Sequence, residues 1–153
     1  MVRRESSVKL IIAVAVLLII ASAVLLLFSF RNHTTVQIGS QLVSVSIADT
    51  DAERAQGLSG TSSLADDQGM LFIFTQSEKW PIWMKDMNYS IDVVWLDQNR
   101  MVVDVDANVS PETYPQDFVP RASARYVLEL PAGYAARHGI GIGTLATITG
   151  WFW

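Results

Sequence analysis

Lys85 and Asp92, set among tryptophans, are the residues of this chain best placed by type to do chemistry, within the run Trp83-Met84-Lys85-Asp86 to Trp95. Asn88-Tyr89 lies between two apolar runs and suits a two-residue hairpin turn. That register pairs Met87 with Ser90, Lys85 with Asp92 and Trp83 with Val94. Shifting it by one residue sets Asp86 opposite Asp92, which like-charge repulsion disfavours. An exposed Lys–Asp pair contributes roughly 0–1 kcal/mol, whereas a buried one costs about 3–5 kcal/mol when one partner is removed. Held in an apolar setting, the same two groups can also bind a polar ligand or move a proton. Glu129 lies on a later apolar run with Tyr126 beside it. The candidate ligand pocket is therefore Trp83, Lys85, Asp86, Asp92, Tyr126 and Glu129, with a purely structural Lys85–Asp92 pair as the plainer reading.

Other chemistries are narrowed by what the chain contains. It has 153 residues, no cysteine and two histidines, His33 and His138. Thiol nucleophiles, cysteine-ligated metals, disulfides and multi-histidine sites are excluded. Met70, Met84 and Met87 include soft thioether donors, but Met84 and Met87 are three apart on an expected strand and face opposite ways. They read as core fillers. Asp104 and Asp106 are two apart on one strand face, without a calcium-loop pattern, and read as solvated. Gly141-Ile142-Gly143-Thr144-Leu145-Ala146 fits a dinucleotide fingerprint, but ten residues from Thr144 to the end leave no room for the helix and strand that site needs. Without a Gly-x-Ser-x-Gly elbow, and with His138 ending a short helix, serine catalysis is set aside. No catalytic residue, metal or cofactor is assigned.

The elements that must position these residues are mostly strands. Val36–Ile38 and Gln41–Ala48 flank a Gly39-Ser40 turn and read as a hairpin. Thr50-Asp51-Ala52-Glu53 is a capping-box pattern opening a short helix that stops at Gly57. The apolar runs at 70–74 and 93–96 suit strands buried on both faces. Residues 101–105 and 125–130 add two strands, and 144–152 a last one. Between 110 and 124, Pro111, Pro115 and Pro120 mark a long loop. A second short helix spans 132–138. The expected fold is β-rich, mainly antiparallel, a sandwich or partly closed barrel with two short helices.

Upstream of this domain, residues 10–30 carry no charge and lie between Lys9 and Arg31. As a helix they span roughly 32 Å, matching the ~30 Å hydrocarbon layer. Arg3, Arg4 and Lys9 precede the run, so residues 1–9 are expected in the cytoplasm and the domain outside it. The expectation is a single-pass protein of the cytoplasmic membrane. Ala21-Ser22-Ala23 has the form of a cleavage site, but seven more apolar residues follow it, favouring an uncleaved anchor. Residues 31–42 form the linker and first strand, and 149–153 an aromatic tail. From Asn32 onward there are 7 basic and 14 acidic side chains, a formal −7. A phosphate backbone is repelled by that balance, so nucleic acid is not an expected partner.

Four blocks in order carry a resemblance: Ala52-Glu53-Arg54-Ala55-Gln56-Gly57-Leu58; Gly69-Met70-Leu71-Phe72-Ile73-Phe74; Trp83-Met84-Lys85-Asp86-Met87 with Ile91-Asp92; and Tyr126-Val127-Leu128-Glu129-Leu130-Pro131-Ala132-Gly133. Across residues 43–148 the chain resembles the family called domain of unknown function 192. The stretch Val109–Pro115 is similar to a loop of one branch of it. The sequence departs from the family pattern at Ser59 and Thr61, where a methionine and a basic residue are usual, and at Ile82, where an aromatic is. The resemblance implies a compact β-rich fold, often exported or lipid-anchored, and brings no activity with it. The functional expectation is a non-catalytic, membrane-anchored domain binding an envelope ligand or protein. The alternatives are an envelope hydrolase using a carboxylate pair and a purely structural or assembly module.

Overall fold

Gly39, at φ +57°, turns the chain between β1 (Thr34–Ile38) and β2 (Gln41–Ala48), leaving Ile38 opposite Gln41 as the two-residue turn requires. These strands open a computed structural model that describes residues 14–16 and 34–150. Residues 14–16 are helical. The rest of the expected membrane segment 10–30, the N-terminal 1–9 and the aromatic residues 151–153 lie outside the described residues. Among the described residues, no helix is long and apolar enough to cross a membrane.

After β2 the chain enters α1 (Asp51–Gln56) through the expected capping box. Glu53 N donates to Thr50 Oγ1 at 3.2 Å, and Thr50 N donates to a Glu53 carboxyl oxygen at 3.0 Å. Gly57, at φ +49°, ends the helix. The crossover returns the chain to β3 (Gln68–Glu78), which pairs parallel with β2, Ile47 facing Leu71. Every other pairing is antiparallel. β4 (Ile91–Leu96), β5 (Val102–Val109), β6 (Ala124–Pro131) and β7 (Ala146–Thr149) complete one seven-stranded sheet ordered β5-β4-β6-β3-β2-β1-β7. A 3-10 turn spans Pro111–Thr113 and α2 spans Tyr134–Arg137.

The sheet curls until the starts of its two edge strands, β5 and β7, touch without pairing along their length. Met101 bridges Leu145, Val102 N donates to Thr144 O at 2.9 Å, and Ala146 N donates to Arg100 O at 2.9 Å. The architecture is a half-barrel, so of the two expected forms the partly closed barrel is the one built and the sandwich is not. Register and the two-residue side-chain period divide the residues between faces. Val36, Val43, Leu71, Val94, Leu128 and Leu130, each 0% exposed, lie on the inner face. Phe72, Phe74, Val93, Trp95 and Val127 lie on the outer face, where Leu58, Ile82 and Met84 pack over them. All six residues of β4 are buried, as the apolar run from 93 to 96 anticipates.

The hairpin expected at Asn88-Tyr89 does not form. Between Lys79 and Ser90 the single ladder contact is the Ile82–Phe118 bridge, made by Ile82 N to Phe118 O at 2.9 Å and the reciprocal bond at 2.8 Å. Competing local contacts explain the difference. Asp86 takes φ +54° and accepts from Gly60 N at 2.8 Å, while Ser59 Oγ donates to Lys85 O at 2.7 Å. Asn88 Nδ2 donates to Thr61 O at 2.8 Å, and the Thr61 and Tyr89 hydroxyls lie 2.6 Å apart. Ser59 and Thr61 thus tie this segment to the loop after α1. It becomes a cover over the outer face instead of an added strand pair.

Candidate functional site

Beneath that cover lies a cavity of about 310 Å³. Its floor is the outer face of the sheet. β3 supplies Phe72 and Phe74, because alternate residues of the 70–74 run project to this side, and β6 supplies Glu129. One wall is α1 and its exit, with Asp51, Arg54, Gly57 and Leu58; the other is Trp80, Ile82, Trp83 and Met87.

The walls are held by specific contacts. Trp80 stacks on Phe74 with ring centroids 4.2 Å apart and planes 8° from parallel. Trp95 Nε1 donates to Trp80 O at 3.0 Å, fixing the backbone where the cover begins. The Arg54 guanidinium lies 5.2 Å from the centroid of Phe74. Its donors go to Ile73 O, Asp49 O and the Asp51 carboxylate, so its charge is largely engaged. Trp83 remains 47% exposed and forms part of the mouth.

Glu129 differs from every other polar group here. It is 4% exposed, sits between Met70 and Val93 in the ladder, and its Oε2 has no hydrogen-bond partner among the described residues. Burial alone pushes its carboxyl up to about 8. An unpaired buried carboxyl is costly, so groups of this kind concentrate at functional sites. The backbone beside it is tightly packed. A Cβ on Gly69 would come 2.7 Å from Glu129 O, so only glycine lets β3 and β6 approach this closely.

The six residues grouped from the sequence are not brought together. Trp83 and Glu129 both line the cavity. Lys85 and Asp86 are exposed on the cover, and neither lines it. Asp92 pairs with Leu130 and Tyr126 with Leu96, which places both side chains on the face opposite Glu129. The Lys85–Asp92 ion pair is therefore not made. Asp92 is fully buried and its carboxylate instead accepts from Asn108 N at 2.8 Å, Gly133 N at 2.9 Å and Ala135 N at 2.8 Å. Asp104, expected on a solvated face, is 5% exposed; Arg121 binds it through main-chain and guanidinium N–H groups, and these bonds lower its carboxyl below the usual range.

Sequence reasoning passed over Arg54, Phe72, Phe74 and Trp80. The available signals were Arg54 in the last turn of the capped helix and Trp80 three residues before Trp83. Neither says that α1 folds back onto β3. Among the described residues, no group of three or more His, Asp or Glu side chains is placed to hold a metal.

Comparison with known proteins yields one family and a few relatives. The profile of DUF192, described as "Uncharacterized ACR", matches residues 34–148. A UPF0127 protein of Thermococcus sibiricus is 35% identical over 91 residues, which cover 58% of this chain and 55% of the relative. The chain thus matches about half the length of that curated relative. Two crystal structures share the fold. One, from Sinorhizobium meliloti 1021 and named as a candidate transcription regulator, aligns with TM-score 0.71 at 26% identity, over 78% of this chain and 94% of its own. The other, a protein of unknown function from Novosphingobium aromaticivorans DSM 12444, aligns with TM-score 0.69 at 28% identity, over 75% and 83%.

Proposed function

Because the chain belongs to the DUF192 family, whose description brings no activity, we propose a function from the cavity itself: a non-catalytic module that binds a small ligand between α1, β3 and the Trp80–Met87 cover. The observation that carries this reading is Glu129, a buried carboxyl with an unpaired oxygen at an apolar cavity. Ligand sites combine mostly apolar walls with a few placed polar groups, and this cavity has that composition. The uncharged run at residues 10–30 supports a further part of the proposal, that the module is anchored in the cytoplasmic membrane with its pocket outside. The name of the Sinorhizobium relative is not carried over, since the fold is compatible with many functions and a formal −7 on residues 32–153 opposes nucleic acid. A carboxylate-pair hydrolase gains no support from the site, where the second lining carboxylate, Asp51, is exposed and bound by Arg54.

The test is a thermal-shift screen of the full chain against small aromatic and aliphatic compounds of positive, zero and negative charge. A ligand at 100 times its Kd adds about 2.7 kcal/mol, an upward shift of several degrees. Hits are expected to weaken in Trp83→Ala and Glu129→Gln and to persist in Lys85→Ala. Hits that ignore Trp83 and Glu129 but vanish in Lys85→Ala would move the site to the exposed face of the cover.

A further inference from the structure

We infer that the ligand of this cavity is a small organic amine, its ammonium seated on the Glu129 carboxyl and its hydrocarbon body between Trp80, Trp83 and Phe72. This rests on the reading of the cavity as a ligand site and adds the chemical class.

The polar groups lining the cavity decide the sign of charge. Its floor carries one carboxyl, Glu129, with Oε2 lacking a partner. Among the described residues, the single cation in the lining is Arg54, which donates to Asp49 O, Ile73 O and Asp51 and has its own π contact with Phe74. An anionic ligand would find no free cation among the described residues of the lining to offset the hydration it loses on entry. A neutral hydroxyl could bond to Glu129, but it would gain nothing from the aromatic walls beyond apolar contact. An ammonium gains from both: a charge-assisted bond to the carboxylate and attraction to ring faces. Arg54 over Phe74 is an instance of the second contact already present in the same wall. The acidic balance of residues 32–153 favours approach of a cation.

Size narrows the class. About 310 Å³ is at the low end of ligand pockets and admits one ring or short chain with a short arm. The amine supplies the partner that Glu129 lacks, so the carboxyl becomes ionised in the complex. Near neutral pH the empty site holds its carboxyl protonated, so binding an ammonium releases a proton to solvent. The titratable groups lining the cavity are Glu129 on β6 and Asp51 and Arg54 on α1; β3 and the cover contribute none.

Isothermal titration of the full chain with benzylamine, benzyl alcohol and benzoate tests this, since the three probes share a ring and differ in charge. The expected order is benzylamine tightest, benzyl alcohol at least tenfold weaker and benzoate weakest. At pH 6.5, titration in buffers of different ionisation enthalpy is expected to reveal release of close to one proton with benzylamine and none with benzyl alcohol. Glu129→Gln is expected to weaken benzylamine at least tenfold and leave benzyl alcohol within twofold, while Trp83→Ala weakens both. Should Glu129→Gln not fold, the order of the three probes on the unaltered protein still decides. If benzyl alcohol binds as tightly as benzylamine, or if benzylamine binds without releasing a proton, the amine assignment falls and the ligand site stands. Absence of binding by all three overturns the amine assignment together with the site.

Discussion

Asp92 and Glu129 are two acidic side chains on neighbouring strands, both buried, and they make opposite use of burial. Asp92 faces the inner side of the half-barrel and receives three main-chain N–H groups from the end of β5 and the turn into α2. Glu129 faces outward beneath the cover, with an oxygen that meets no donor among the described residues. A carboxylate surrounded by donors acts as a clip, joining segments distant in sequence. A carboxyl surrounded by rings contributes nothing of that kind and weakens the fold at neutral pH. Burial by itself therefore does not single out a candidate site acid; burial without partners does.

The largest expected effect is on the clip. Asp92→Ala takes the acceptor from three N–H groups, that of Ala135 buried and those of Asn108 and Gly133 partly so, and a loss of about 3–5 kcal/mol is expected in urea unfolding. A loss below 1 kcal/mol would erase the contrast with Glu129.

Glu129→Gln is expected to act in the other direction. The folded carboxyl titrates at about 8 against 4.5 for a free one, so below 4.5 both states are protonated and the residue adds no pH dependence. As pH rises towards 8 the unfolded chain ionises and the folded one does not, which drains stability by about 1.4 kcal/mol per pH unit. The variant lacks this loss. It should match the parent near pH 4.5 and exceed it by about 3 kcal/mol at pH 7, read from denaturation at both pH values. Parallel curves would mean that Glu129 finds a partner in solution.

Asp104 provides an intermediate case, a buried carboxylate whose side-chain partner Arg121 is largely exposed. Arg121→Ala removes the guanidinium but keeps the main-chain N–H, so a loss much smaller than that of Asp92→Ala is expected in urea unfolding. Asp104 has a depressed carboxyl, so its contribution is present above the free value of 3.8 and fades as pH falls through the lower folded value. The cost of Arg121→Ala should accordingly shrink in acid, as the gain of Glu129→Gln does; the two effects differ in sign, and that of Arg121→Ala persists to lower pH. A cost that does not change with pH would place the Arg121 contribution in packing.

Much of the fold was legible where neighbours in sequence settle the outcome. The Gly39-Ser40 hairpin and the Thr50–Glu53 capping box are made by residues within a few positions of one another, and both formed as read. The buried runs were recognised as strands because length and apolarity suffice for that. Their faces were not, because a strand apolar throughout carries no alternation to tell one side from the other. Glu129 was singled out as a carboxyl on an apolar run, yet the Lys85–Asp92 pair it was grouped with depended on a hairpin that lost to the Ser59–Lys85, Gly60–Asp86 and Thr61–Asn88 contacts across the loops.

Charge balance, the absence of cysteine, the β-rich class and the local turns and caps were determined by the sequence alone, because composition and short-range hydrogen bonding determine them. Which acid became a clip and which was left unpaired was decided by tertiary structure. That outcome depends on strand order, on one parallel crossover that brings α1 over β3, and on which face the β4–β6 register turns towards each side chain. Those are contacts between residues tens of positions apart, and only the closed fold brings their donors, rings and carboxyls within reach.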